Sequence, residues 1–131
     1  MAFKLEHVHV KTRDPEGTAR FYTQALGATL IEAKEGGNQF RLDLHGLALN
    51  VTDHIGTQQR DQRYGLEHFA IQTDDLDGTV ARLEALGGRV LEAFASSVPA
   101  HDGGRVCFIE GPEGVQFELI EVKSLARDPN L

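Results

Sequence analysis

Leu5-Glu6-His7 returns as Leu66-Glu67-His68, and its surroundings return with it. Behind the first tripeptide stand Asp14, Gly17-Thr18, Ala25-Leu26-Gly27 and Glu32-Ala33; behind the second stand Asp75, Gly78-Thr79, Ala85-Leu86-Gly87 and Glu92-Ala93. The chain is written twice, with one residue lost from the second copy between Thr79 and Ala85. A half of about 60 residues is marginal as an independent fold. The halves are therefore expected to pack together or to exchange between chains.

Around the first tripeptide, Phe3 to Thr12 alternates and is rich in β-branched residues, with Phe3, Leu5, His7 and His9 on one face and Val8 and Val10 on the other, which predicts a strand. Asp14-Pro15 opens a helix, the Asp accepting from free N–H groups and the Pro standing where a missing donor costs nothing. Its apolar stripe is Ala19, Tyr22, Ala25 and Leu26, and Gly27 ends it. Strands follow at Ala28 to Ala33, Asn38 to Leu44 and Leu47 to Thr52, broken by Gly36-Gly37 and His45-Gly46. The order is βαβββ.

Asp53 to Arg63 is polar and aperiodic and reads as a linker. The second half repeats the order: a strand over Gly65 to Thr73, a helix over Asp75 to Leu86, and strands at Arg89 to Ala95, Gly104 to Glu110 and Val115 to Val122. Ser96 to Gly103 is a longer loop, and Gly111-Pro112-Glu113-Gly114 is a turn. The expected architecture is one α+β domain over residues 1–131, with module one at about 3–52, the linker at about 53–63, module two at about 64–122 and a tail at 123–131.

The net charge of −7 argues against nucleic acid or an anionic membrane surface, both of which need basic stripes. A small molecule is the expected ligand. The first residues carry no apolar leader, and no run approaches the roughly 18 apolar residues of a membrane span; a soluble, cytoplasmic protein is expected. Cys107, the single cysteine, stands between Val106 and Phe108 and reads as a buried strand position rather than a catalytic thiol. No CxxC pair, GxGxxG or Walker loop is present.

Strand alternation selects among the chemistry-bearing residues. Phe69 and Ile71 face one way and Leu66, His68, Ala70 and Gln72 the other; Phe117 and Leu119 face one way and Gln116, Glu118 and Ile120 the other. With the helices on the first of these faces, the opposite faces form the inside of a curved sheet and hold His7, His68 and Glu118. A carboxylate buried there needs a cation, and two imidazoles beside it suggest a metal. Glu6 and Glu67 are expected on the helix side, silent in metal binding.

His7-Val8-His9-Val10 with Asp14-Pro15, Phe21-Tyr22 and Leu26-Gly27, then Leu66-Glu67-His68-Phe69-Ala70, then Gly111 to Leu119, together resemble the vicinal oxygen chelate superfamily of glyoxalases, bleomycin resistance proteins and extradiol dioxygenases. The resemblance implies two paired βαβββ modules forming a cup, in a domain-swapped or paired homodimer. It implies one divalent metal per site, Fe(II), Mn(II), Zn(II) or Ni(II), held by His7, His68 and Glu118. Aligning Gly46 to Asn50 with Gly114 to Glu118 puts Asn50 where glyoxalase I offers a carboxylate, so Asn50 is a candidate fourth ligand or substrate contact. His9 is the candidate acid/base beside the metal, and Arg127, in a tail resembling that of fosfomycin thiol transferases, a candidate contact for an anionic substrate. His45, His54 and the pair His101-Asp102 are expected to be solvated.

The metal would act as a Lewis acid on two neighbouring oxygens of a small substrate. Two His and one Glu favour an Fe(II) extradiol-type dioxygenase. The alternatives are a glyoxalase-like lyase, isomerase or epimerase, and a thiol transferase or non-catalytic binding protein of bleomycin-resistance type.

Overall fold

In the computed structural model, which describes residues 2–123 and Leu125, the side chain of Ala100 aside, each repeat folds in the expected order. The elements are β1 (Phe3–Lys11), α1 (Pro15–Leu26), β2 (Thr29–Ala33), β3 (Gln39–Leu44), β4 (Leu47–Thr52), β5 (Gly65–Thr73), α2 (Leu76–Ala85), β6 (Arg89–Ala95), β7 (Arg105–Glu110) and β8 (Gln116–Glu121), with single 3₁₀ turns at Pro99–His101 and Pro112–Gly114. No helix among the described residues is long and apolar enough to cross a membrane.

The repeated Asp-x-x-Gly-Thr has a physical cause. Asp14 Oδ1 accepts from Gly17 N–H at 3.0 Å, and Asp75 Oδ1 from Gly78 N–H at 3.0 Å, so each Asp satisfies a free donor of the helix that follows. A Cβ on Gly17 would strike the Asp14 carboxylate, and one on Gly78 the Asp75 carboxylate, so only glycine lets each cap lie so close. The threonines tie the helix to the preceding strand, Thr18 to Thr12 at 2.7 Å and Thr79 to Thr73 at 3.4 Å. Gly78→Ala and Asp75→Ala are each expected to cost about 1 kcal/mol. Because both remove the same cap, the double variant should cost little more than either alone in urea unfolding.

The chain divides into two compact units, His7–His68 and Met1–Glu6 with Phe69–Leu131, the division falling inside β1 and β5. In the His7–His68 unit the strands run β2-β3-β4-β1, with β1 parallel to β4 and the other neighbours antiparallel. Its core, Ala19 and Ala28 with Leu42, Leu49 and Val51, draws in Val8, Val10 and Tyr22, so α1 covers the valine face of β1 as alternation predicts. Ala25 and Leu26, expected in the apolar stripe of α1, are exposed instead. Gly27 ends the helix in the left-handed conformation (φ 72°), its N–H returning to Tyr22 C=O.

In the other unit the order is β5-β8-β7-β6, with β5 parallel to β8. Leu76 of α2 packs with Cys107, Ile109 and Leu119 on the helix side, which buries Cys107 as expected. The opposite face carries Ala70 and Ile120, as alternation predicts. Ala70, Val106, Phe108 and Ile120 form a second apolar cluster there, joined by Leu91 and Phe94. Glu118, half-buried on β8, stands in register with Ala70 of β5 and Phe108 of β7.

Candidate metal centre

Alternation along β1 puts His7, His9 and Lys11 on the face turned away from α1, and all three are buried, Lys11 to 2% exposure. Register carries this face onto β4: His9 lies beside Asn50 and Lys11 beside Thr52. Thr52 Oγ1 is 2.7 Å from His9 Nε2, and the Lys11 ammonium, which can only donate, reaches Thr52 Oγ1 and Asp53 C=O at 3.5 Å each.

His68, at the end of this unit on β5, joins the two histidines of β1. Its ring centroid is 4.7 Å from that of His9 and 5.8 Å from that of His7. One ring nitrogen from each of the three lies within 4.8 Å of the others. Burial, ahead of the charges of His68, Lys11 and His7, lowers the His9 pKa from 6.5 to about 2. Burial likewise lowers that of His68 to about 4, against the opposing pull of Glu67. His9 and His68 are thus neutral imidazoles near pH 7, the form that ligates a metal. Neutral imidazoles suit Zn, Ni, Fe and Cu, so this donor set fits a divalent transition metal.

Glu67, expected on the helix side, reaches the ring of His68. Its side chain is fully buried; Oε1 accepts from Arg60 Nη2 at 2.6 Å and from His68 Nδ1 at 2.9 Å, and Oε2 from the backbone N–H of Arg63 at 2.9 Å. Burial alone would raise its pKa, but the bonds from His68, Arg60 and Arg63 outweigh it and hold Glu67 at about 2. A neutral imidazole that donates from Nδ1 carries its lone pair on Nε2.

Arg60 comes from the segment read as a linker, which is a built loop. Gln62 folds it by donating to Ile55 C=O (2.8 Å) and Gln58 C=O (3.2 Å) and accepting from Ile55 N–H (3.0 Å). An arginine eight residues before a strand histidine carries no periodicity, so pattern reading passed over it. The carboxylate directly preceding that histidine was the available signal.

Of the residues singled out from the sequence, His7 and His68 come together, and His9 joins them as a third imidazole rather than standing beside the pair. Asn50 Oδ1 accepts from Arg41 Nη1 at 3.1 Å. Arg127 lies outside the described residues. His45 is exposed as expected, its Nε2 meeting Leu26 C=O at the end of α1 (2.5 Å), and the half-buried His101 pairs through Nδ1 with Ser96 Oγ (2.6 Å). Arg105 ties Asp77 to Glu121 on the surface, and Tyr64 lies under the Arg13 guanidinium at 3.9 Å.

His9 and His68 contribute to the acid sensitivity of the metal-free protein. Their folded pKa values lie below 6.5, so the unfolded state binds more protons between pH 6.5 and about 4 for His68, and down to about 2 for His9. Their contribution is present above pH 6.5 and is lost as pH falls, at up to about 1.4 kcal/mol per pH unit for each histidine. Urea midpoints of the metal-free protein should fall steadily from pH 7 to pH 4; His9→Gln should flatten that slope.

The profile of the Glyoxalase/Bleomycin resistance protein/Dioxygenase superfamily matches residues 4–119. A probable chloroplastic lactoylglutathione lyase of Arabidopsis thaliana is 31% identical over 130 residues, covering 90% of this chain and 35% of that protein. The chain spans well under half the length of such plant relatives. A probable lactoylglutathione lyase of Synechocystis is 26% identical over 128 residues, with 92% of this chain and 96% of that one covered. Among solved structures, a hypothetical protein of Bacillus halodurans superposes with a TM-score of 0.70 at 16% identity, covering 98% of this chain and 100% of that one. Methylmalonyl-CoA epimerase of Mycobacterium tuberculosis superposes with a TM-score of 0.64 at 23% identity, covering 90% and 87%. At these identities the superpositions speak for the fold alone. With the repeated βαβββ order and a profile match over nearly all of the folded residues, the chain belongs to the Glyoxalase/Bleomycin resistance protein/Dioxygenase superfamily.

Proposed function

We propose that the protein is a divalent-metal-dependent lyase of glyoxalase type, acting on the adduct of a thiol and a small 2-oxoaldehyde and giving a 2-hydroxyacyl thioester. The observation that carries this reading is the buried trio His7, His9 and His68 on the face away from α1. The curated relatives carry the name of a lyase, which favours that alternative over the dioxygenase suggested by a His-His-Glu count.

His7 and His68 are the proposed ligands from β1 and β5. With its pKa held near 2, His9 is poorly tuned as an acid/base at neutral pH and better suited to be a third neutral ligand. The sequence resemblance adds Glu118, to be tested by Glu118→Gln. A bound metal would supply Lewis acidity toward two neighbouring substrate oxygens. Lys11 and Thr52, bonded around His9, fix that ring and place a positive charge on the same face. Burial of this face keeps His9 and His68 neutral.

A homodimer is part of the proposal. Phe3, Leu5 and Leu66 are large, apolar and exposed, Leu66 to 74%. Light scattering should give twice the chain mass of 14.4 kDa. The activity test loads metal-free protein in turn with Ni(II), Zn(II), Mn(II) and Fe(II) and follows thioester formation from methylglyoxal and a thiol. Turnover with at least one metal is expected. Oxygen uptake with catechols under Fe(II), without thioester formation, would replace the lyase reading by the dioxygenase one.

A further inference from the structure

The buried pair of Arg60 and Glu67 is not accounted for by stability alone. Both side chains are almost wholly excluded from solvent, at 1% and 0% exposure. An ion pair taken out of water generally stabilises no more than apolar residues of the same size would. The loop carrying Arg60 is nonetheless bonded so as to deliver it. Arg60 Nη1 donates to Asp61 C=O at 3.2 Å and Nη2 to Gln58 Oε1 at 3.3 Å, while the Arg63 N–H holds the second Glu67 oxygen. What the arrangement fixes is the carboxylate, and what the carboxylate touches is His68 Nδ1, at 2.9 Å.

We infer that Arg60 and Glu67 are positioning residues for His68, fixing its ring and its Nδ1–H tautomer so that the Nε2 lone pair is set before a metal arrives. A carboxylate accepts only, so it selects the imidazole form that donates from Nδ1. The guanidinium holds the carboxylate in turn, and the loop Asp53 to Arg63 thereby becomes part of the centre. Outer partners of this kind orient the ligand and raise its basicity. The inference rests on the reading of His68 as a metal ligand.

The test uses the full chain and two variants. In Arg60→Met/Glu67→Leu the pair is replaced by apolar residues of similar size, which keeps the interior filled and the fold intact. Glu67→Gln keeps the size and removes the charge. Two quantities are read: the ¹⁵N shifts of the His68 ring in metal-free protein, and the affinity for Co(II) by chelator competition. The expected result is an Nδ1–H tautomer in the parent protein that is lost in the double variant, with Co(II) affinity falling about 10- to 100-fold. A purely structural pair would alter unfolding midpoints and leave both readouts alone. Parent-like Co(II) affinity in a folded double variant, or an Nε2–H tautomer in the parent, overturns the inference while the metal centre stands. Failure of the parent to bind Co(II) at all overturns the metal reading and this inference with it.

Discussion

His68→Ala should fold, lose stoichiometric divalent metal and lose about three orders of magnitude in lyase turnover. The size follows from what a metal supplies to developing charge, several kcal/mol, at about 1.4 kcal/mol per factor of ten. Folding should survive because the variant removes a desolvated imidazole whose pKa is held down by burial, not a residue of any apolar cluster. His7→Ala should behave alike, since His7 is the other proposed ligand and clusters with His68. Metal content by elemental analysis, circular dichroism and thioester formation together separate loss of the centre from loss of the fold. A His68→Ala protein with undiminished metal would remove His68 from the centre.

The second large effect is on stability. Glu67→Gln takes the carboxylate from a guanidinium that is 1% exposed, and breaking one side of a buried pair costs about 3–5 kcal/mol. Against a total stability of roughly 5–15 kcal/mol that is a large fraction. Arg60→Met/Glu67→Leu removes both charges and should lie much closer to the parent. The Glu67 contribution also depends on pH. Its folded pKa of about 2 lies below the ordinary 4.5, so its stabilisation is complete above pH 4.5 and is lost as pH falls through about 2. Urea unfolding at pH 7 measures the effect, and a loss below about 1 kcal/mol would show that water reaches the pair freely.

How far the sequence could be read divides along physical lines. Strand and helix positions were legible within a residue or two because alternation, Asp caps and glycine stops are local. The repeat itself was visible, but its cause, glycines that admit the carboxylates of Asp14 and Asp75, needed coordinates. Ala25 and Leu26 satisfied the helical period and are exposed, since period alone does not say where a stripe ends. Parity placed His7, His9 and His68 correctly. It put Glu67 on the helix side, and the Glu67 carboxylate nevertheless reaches the His68 ring. It placed Ala70 and Ile120 on the face opposite α2, where they cluster with Val106 and Phe108 of β7. Arg60 was hidden because a loop's interior contacts leave no periodic trace. The proposed preference for a lyase over a dioxygenase comes from the names of the relatives and not from the ligand count.

The claim on which everything else depends is that the buried imidazoles hold a metal. Isothermal titration of the metal-free protein with Zn(II) at pH 7, in parallel with the His7→Ala and His68→Ala variants, addresses it most directly. One high-affinity Zn(II) per chain in the parent and none in either variant is the predicted result; no saturable binding in the parent, or equal binding in all three proteins, would contradict it.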